Sequence, residues 1–438
     1  MEIRDVVVVG SGLAGLSAAR DLDKAGYTPV VLEQAPIAGG RLRTESLRGA
    51  KMELGGVFLT HAYTGMHKLI DELGLAGDLV TPEARFNSAV LREGSWHYLN
   101  YGTARGLLGF SGIGLTDRLS VLTGGAKAIF DQTSADPGDV TRYAHLDTRS
   151  VTDAISADAA NFYAAGPLEF LWGIEPHEAS YALLALQLRV FHSRPSELRS
   201  GSGTLIDKLA EPLDVRCGVR VERVVESDTG VLVHAVGPDG PRVYRGRAAI
   251  IATPASAVES LWPDAPDATR EFLTSVHYSR IDFAYFRTRE PLGRRNPSGA
   301  PLYMATIPTS TRGNRTIGGI LYADHWAPTG GLVFAEAAMR SGADQLDDAT
   351  LGALLQAELL ELNPELAGQI TGRYVGRRDP FVPIFGPGYV SRLAEFRRTL
   401  GHSAIDLAGD YLQAPWLEGA LRSGSNAADR TARRLVKT

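Results

Sequence analysis

The sequence is almost without cysteine. Cys217 is the single thiol in 438 residues, which excludes an internal disulfide and any cysteine-built zinc or iron–sulfur centre. That usage fits a reducing compartment, and the cytoplasm is the expected location. Long apolar runs are missing too. Nothing approaches the ~18 uninterrupted apolar residues of a membrane-spanning helix, and the opening run DVVVVGSG is too short for the apolar core of roughly 7–15 residues in an export signal. Charge of one sign is not in excess: 45 basic against 50 acidic residues give a net charge of −5, which supplies no argument for a nucleic-acid or anionic-membrane partner. Repeats of fixed period and low-complexity tracts are absent. So are a Ser-His-Asp order, a metal-ligand cluster and a Walker-type loop, which leaves nucleophilic and metal mechanisms without support.

What is present begins with a strand, a glycine-rich turn and a helix. Asp5–Val9 is a β-branched run, Leu13–Ala25 has helical periodicity closed by Gly26, and Thr28–Leu32 is strand-like again. Gly10, Gly12 and Gly15 in VVVVGSGLAGL form GxGxxG at the junction, and Glu33 lies 18 residues beyond Gly15. Gly10 permits the tight turn, Gly12 lets the backbone approach a pyrophosphate, and Gly15 lets the helix pack closely on the strand. The helix N-terminus offers free N–H groups to phosphates, and Glu33 is placed to take ribose hydroxyls. A bare GxGxxG also occurs in ligand-free turns. The complete strand, turn, helix, strand and acidic residue point to a dinucleotide, without separating NAD from FAD.

At 438 residues and 44 % hydrophobic, the chain exceeds the roughly 250–300 residues at which a single core stops growing, so two domains are expected. Helical spacing recurs over Met66–Leu73 with Gly74 as a stop, and beyond Val80 the pattern turns irregular and aromatic. Arg118–Leu188 is mostly helical in pattern, with breaks expected at Pro137 and Pro167. From 199 to 254 a helix precedes short alternating strands, with Pro238, Asp239 and Gly240 as a hairpin turn. Alternation returns over 276–335, Asp347–Leu362 is a helix stopped by Asn363 and Pro364, and Ala427–Val436 is a last amphipathic helix.

Further segments carry a resemblance to the flavin-containing amine oxidase superfamily, in that superfamily's order. AGGRLRT, with Gly39, Gly40 and Arg41, resembles the element that continues the FAD pyrophosphate site, where a cationic arginine suits two phosphates. MELGGVFLT places Gly55 and Gly56 where the family's paired glycines pass the isoalloxazine ring. GVRVERV resembles the strand whose valine backbone holds the adenine, which selects Val221. LAGDYLQAPWLEGALRSGSNAA resembles the closing motif, with Gly409 and Asp410 at the ribityl chain and a helix starting near Leu417, whose positive end suits a reduced flavin. The resemblance implies an α/β fold: a Rossmann-like FAD-binding domain of the glutathione-reductase type, from 1–85, 198–262 and 395–438, interleaved with an α+β substrate-binding domain from 86–197 and 263–394. Taken singly, each segment is also readable as an ordinary turn or strand.

The same resemblance places Trp416 and Phe381 as the two aromatic rings that flank a substrate in front of the flavin, with Phe170 and Leu171 on its approach. Both rings are otherwise ordinary core aromatics. Two departures stand out. Where many members carry a lysine near the flavin N5, the stretch HYSRIDFAYF has Asp282, readable as an ion-paired carboxylate or as a group that attracts a cation or takes a proton. No cysteine lies near the closing motif, so the FAD is expected to be noncovalent. His61 and His325 are weaker proton-transfer candidates. The Gly-broken apolar stretch 101–124 suits a wall of a hydrophobic chamber or a plain helix pair. The expected enzyme is an FAD-dependent oxidoreductase that takes a hydride from a C–N or C–C bond of a small, largely apolar substrate, with O2 or another acceptor. An amine oxidase and a desaturase or protoporphyrinogen-oxidase-like dehydrogenase both remain open. Rab escort and inhibitor proteins resemble the fold without flavin, but would leave the phosphate glycines, Glu33 and Arg41 without a task.

Overall fold

The structure, a computed structural model, describes residues 2–437 except Val57, Gly102 and 131–135. A first seven-stranded sheet runs in the order Val215–Cys217, Pro29–Glu33, Glu2–Val9, Gly240–Ile251, Gly230–Gly237, Arg220–Ser227, with Ile405–Leu407 beside Gly240–Ile251. Val6, Val7, Val8 and Val9 are almost wholly buried, as a β-branched strand covered on both faces of a parallel sheet requires. Gly240–Ile251 pairs parallel with Glu2–Val9 along one edge and divides its other edge between two partners. Its first half pairs antiparallel with Gly230–Gly237 through the Pro238–Asp239 turn, and its last three residues pair parallel with Ile405–Leu407.

A second seven-stranded sheet runs Ile370–Arg378, Ile281–Thr288, Gly331–Ala337, Ile317–Tyr322, Met304–Thr306, Asn87–Arg92, Ser95–Asn100. One face packs Ala284, Phe286, Val333 and Ala335 against Leu351, Leu355 and Leu359 of the helix Asp348–Leu362. The other face turns Phe283, Tyr285 and Phe334 toward the first sheet's core. Every strand of the first sheet lies within 1–85, 198–262 and 395–438, and every strand of the second within 86–197 and 263–394.

Two helices differ from their sequence expectation. Pro167 does not break the chain: it sits in the first turn of Ala165–Trp172, directly after the π-helical turn Ala159–Ala164, where a missing N–H costs little. The last helix runs Leu417–Lys437, starting where the closing motif's resemblance places it and not at the Ala427 of the periodicity reading. Gly419, Ser423 and Gly424 hide its first turns from a propensity reading, yet the packing demands small residues there. A Cβ on Gly424 would stand 2.1 Å from the Ala14 carbonyl oxygen of the helix Leu13–Lys24.

Candidate active site

A single cavity of about 670 Å3 extends from the glycine turn to the inner face of the second sheet. At its first end the strand Glu2–Val9 stops at Gly10, which has φ +100° and whose Cβ would meet the Ala252 carbonyl oxygen at 2.9 Å. Gly15 is closer still, 2.0 Å from the Gly10 carbonyl, so it serves helix–strand contact and does not line the space. Gly12 has nothing within 4 Å of a built Cβ; a side chain there would project into the cavity that the backbone leaves open. Glu33 ends the strand Pro29–Glu33 nearly buried, accepting the Ser11 N–H at 2.9 Å, the Ser11 hydroxyl at 2.7 Å and the Ala35 N–H at 2.8 Å. Its carboxylate therefore fixes the turn as well as facing the cavity.

Gly39, Gly40 and Arg41 close this end, and Gly39 bridges Gly12. The Arg41 guanidinium reaches Asp410 at 2.7 and 3.0 Å and the Phe381 carbonyl at 2.6 Å, which leaves part of its donor fork free for an anion. Burial alone would lower Arg41, but the Asp410 carboxylate outweighs it and holds the guanidinium charged. Val221, Gly55, Gly56, Gly409 and Leu417 line the same cavity. Leu417 opens the long last helix, and its side chain lies 2.9 Å from a Cβ built on Gly56. The next residue, Glu418, is fully buried and accepts the N–H groups of Gly65 at 2.9 Å and Met66 at 2.8 Å, with Arg422 at 2.7 Å. The open Gly12 face, the cationic Arg41, Glu33 and a helix N-terminus form a donor set that fits a dinucleotide carrying two phosphates.

The other end is aromatic. Trp416 and Phe381 both line it, as do Phe170 and Leu171. The rings beside Trp416 are Tyr63, stacked at 6.4 Å, and Trp172 at 6.2 Å. Phe334 gathers Phe283 at 5.2 Å, Tyr285 at 5.0 Å and Phe170 at 6.0 Å. Sequence reasoning missed Trp172, Phe283, Tyr285 and Phe334, because membership of one chamber depends on sheet register.

Asp282 requires a correction. Along Ile281–Thr288 the residues Ile281, Phe283 and Tyr285 line the cavity, so strand alternation turns Asp282 away. Its carboxylate is held by Arg280 at 2.9 and 3.0 Å and by Arg377 at 3.1 Å, an ion-paired arrangement outside the chamber. The carboxylate that does enter is Glu336, paired with Phe283 across the neighbouring strand and 4 % exposed. Its Oε2 has no hydrogen-bond partner. Burial, then the nearby Asp282 and Glu169 carboxylates, push it well above the usual carboxylate range. Among the described residues no lysine lines the cavity, nor does any cysteine or histidine. His61 is exposed and His325 is paired with Glu197 at 2.9 Å. None of the described residues of 101–124 lines the cavity either: they include the helix Ala104–Gly109 and the start of Leu115–Phe130, with Leu108, Leu115 and Leu119 exposed.

The model of the flavin containing amine oxidoreductase family matches residues 13–432. The chain belongs to that family. Putrescine oxidase of Kocuria rosea is 50 % identical over 72 residues, which are 16 % of this chain and 15 % of that protein. The 15-cis-phytoene desaturase of Narcissus pseudonarcissus is 40 % identical over 72 residues, 16 % of this chain and 13 % of that protein. A solved putrescine oxidase with putrescine bound superposes with a TM-score of 0.80 at 20 % identity, covering 99 % of each chain. These curated relatives are thus matched over less than a sixth of their length, whereas the fold is shared throughout. As a member of this family the protein is a flavin-dependent oxidoreductase with FAD as cofactor. Among the described residues no helix is long and apolar enough to cross a membrane.

Proposed function

We propose that this protein oxidises an amine with a largely apolar body at the carbon next to nitrogen, giving an imine. The observation that carries this reading is Glu336, a buried carboxyl with Oε2 unpartnered in a chamber walled mainly by aromatic and aliphatic side chains, whose other carboxylate there, Glu53, is held by Ser202. Leaving such a group unpaired is costly, and a hydrocarbon substrate offers it nothing. An ammonium group supplies both charge and N–H donors, while the rings accept the apolar body.

Three segments, 1–85, 198–262 and 395–438, form the proposed cofactor domain, and 86–197 with 263–394 the substrate domain. Gly10, Gly12, Gly39, Gly40 and Arg41 hold the pyrophosphate, Glu33 the ribose and Val221 the adenine. Gly55 and Gly56 pass the ring, Gly409 and Asp410 hold the ribityl chain, and the helix end at Leu417 faces the pyrimidine edge. When bound, the flavin supplies the hydride acceptor. The chain's own residues orient the substrate: Trp416 and Phe381 flank it, Phe170 and Leu171 guide its approach, and the aromatic walls keep water out. Glu336 fixes a nitrogen or exchanges its proton.

The second reading is oxidation of a C–C bond, favoured by the lack of a lysine among the described lining residues. A panel of primary amines against polyunsaturated hydrocarbons, each mixed anaerobically with the yellow holoenzyme, separates the two. Flavin bleaching by the amines alone supports the proposal; bleaching by the hydrocarbons alone overturns it. Readmitting air then decides the acceptor. Recovery of the flavin band in seconds marks O2, and recovery over many minutes marks a different oxidant.

A further inference from the structure

We propose that Trp326 is the wall that sets how long a substrate the chamber accepts, and that Glu197 is the residue that positions it. The turnover arm of this inference rests on the amine-oxidising reading; the binding arm does not. Trp326 sits on the turn Asp324–Trp326, which leads from the strand Ile317–Tyr322 toward Gly331–Ala337, and its indole borders the cavity beside Tyr303 and Phe334. A buried indole N–H usually finds one acceptor. Here the indole N–H is received by both carboxylate oxygens of Glu197, at 3.0 and 3.1 Å, while the Lys51 ammonium lies 5.0 Å from the ring centroid.

Glu197 is itself 3 % exposed. Burying a carboxylate is unfavourable unless its oxygens are satisfied, and its further polar contact is His325 Nε2 at 2.9 Å. The carboxylate is thus committed to holding one indole. Its strand, Pro195–Leu198, pairs with Leu59–Thr60 and Leu79–Val80. Lys51 donates to the Leu198 carbonyl at 2.8 Å and belongs to the hairpin that continues into Gly55 and Gly56. The wall is therefore tied to the segment that passes the flavin, so the distance from that segment to the indole is fixed by hydrogen bonds. A rigid stop at a set distance is what length selection needs.

The test uses flavin-loaded protein and two straight-chain series from butyl to dodecyl: alcohols, whose dissociation constants are read by calorimetry, and primary amines, whose kcat/KM is read by flavin reduction. In the parent protein, affinity rises about fourfold per methylene until the chain meets Trp326, then levels or falls. Trp326→Ala moves that limit outward by roughly three carbons, a gain of at least about tenfold for the longest chains. Trp326→Phe, which keeps a ring but loses the N–H that Glu197 holds, moves the limit less than Trp326→Ala does. Glu197→Gln weakens binding only of chains at the limit, with short chains and the flavin spectrum unchanged. An unchanged length limit in Trp326→Ala with normal flavin content overturns the proposal. If that variant does not fold, an unchanged profile in Glu197→Gln does the same. A shifted alcohol profile without oxidation of any amine overturns the amine reading and leaves the wall standing.

Discussion

Replacing Glu336 with glutamine keeps its shape and removes the proton it can give up, and with it the charge it can take on beside an ammonium. For an amine substrate, KM should rise roughly 10- to 100-fold, the equivalent of the about 1.5–3 kcal/mol expected of a hydrogen bond to a charged group, while an uncharged ligand of the same body should bind as before. The carboxyl is raised in the folded protein, so the folded state keeps a proton that the unfolded chain has lost. Stability contributed by the neutral form is complete below the unfolded value and is lost as pH rises toward the folded one. Glu336→Gln should therefore raise the melting temperature at neutral pH, and its pH–stability curve should be the flatter of the two. Glu169 gives a second, bounded window. Burial, opposed by the hydrogen bonds from Thr309, sets it at about 7 against an ordinary 4.5, so its stabilising proton is lost between those values as pH rises. In Glu169→Gln the slope over that window should be reduced in thermal melts taken at stepped pH. At this scale the cavity-lining places of Gly10, Gly12, Glu33 and Arg41 were legible because their proposed tasks are local: a turn, a phosphate, a ribose. Glu336 was not. GLVFAEA states that the strand is buried, but which face holds the glutamate follows from register with Phe283, a fact of two strands.

Helices and strands carry the next expectation. The last helix can place its N-terminus at the cavity only while it lies flush on Leu13–Lys24, and Gly424 against the Ala14 carbonyl makes that possible. Gly424→Ala should force the two helices apart, with a loss of about 1–3 kcal/mol in line with other overpacked contacts, and the purified protein should carry less flavin per chain. A variant with full flavin content and unchanged melting temperature would contradict the packing account. The same contact explains why the sequence pattern revealed only the helix's second half: the residues that allow the close approach are those that a propensity reading takes for a loop. Asp282 illustrates a complementary failure. Motif alignment placed it at the family's lysine position, but one residue of register on a strand exchanges faces, and the paired arginines Arg280 and Arg377 hold it on the far side.

Across the whole molecule, the interleaving of two sheets was legible from the order of the motifs, since the glycine turn, the adenine strand and the closing helix must converge on one cofactor. The chamber was not, because its walls come from many distant segments and no short-range pattern marks them. In the proposed arrangement FAD would bridge all three cofactor segments, so its removal should lower the melting temperature and leave a protein that regains stability with added FAD in proportion to the logarithm of its concentration. The central claim is that this cavity presents an amine to the flavin through Glu336. Anaerobic mixing of holoenzyme with a straight-chain primary amine, followed at the oxidised flavin band, addresses it most directly. The account predicts rapid bleaching that is much slower in Glu336→Gln at the same amine concentration; an unbleached flavin across the amine panel, or equal rates with and without the Glu336 charge, would contradict it.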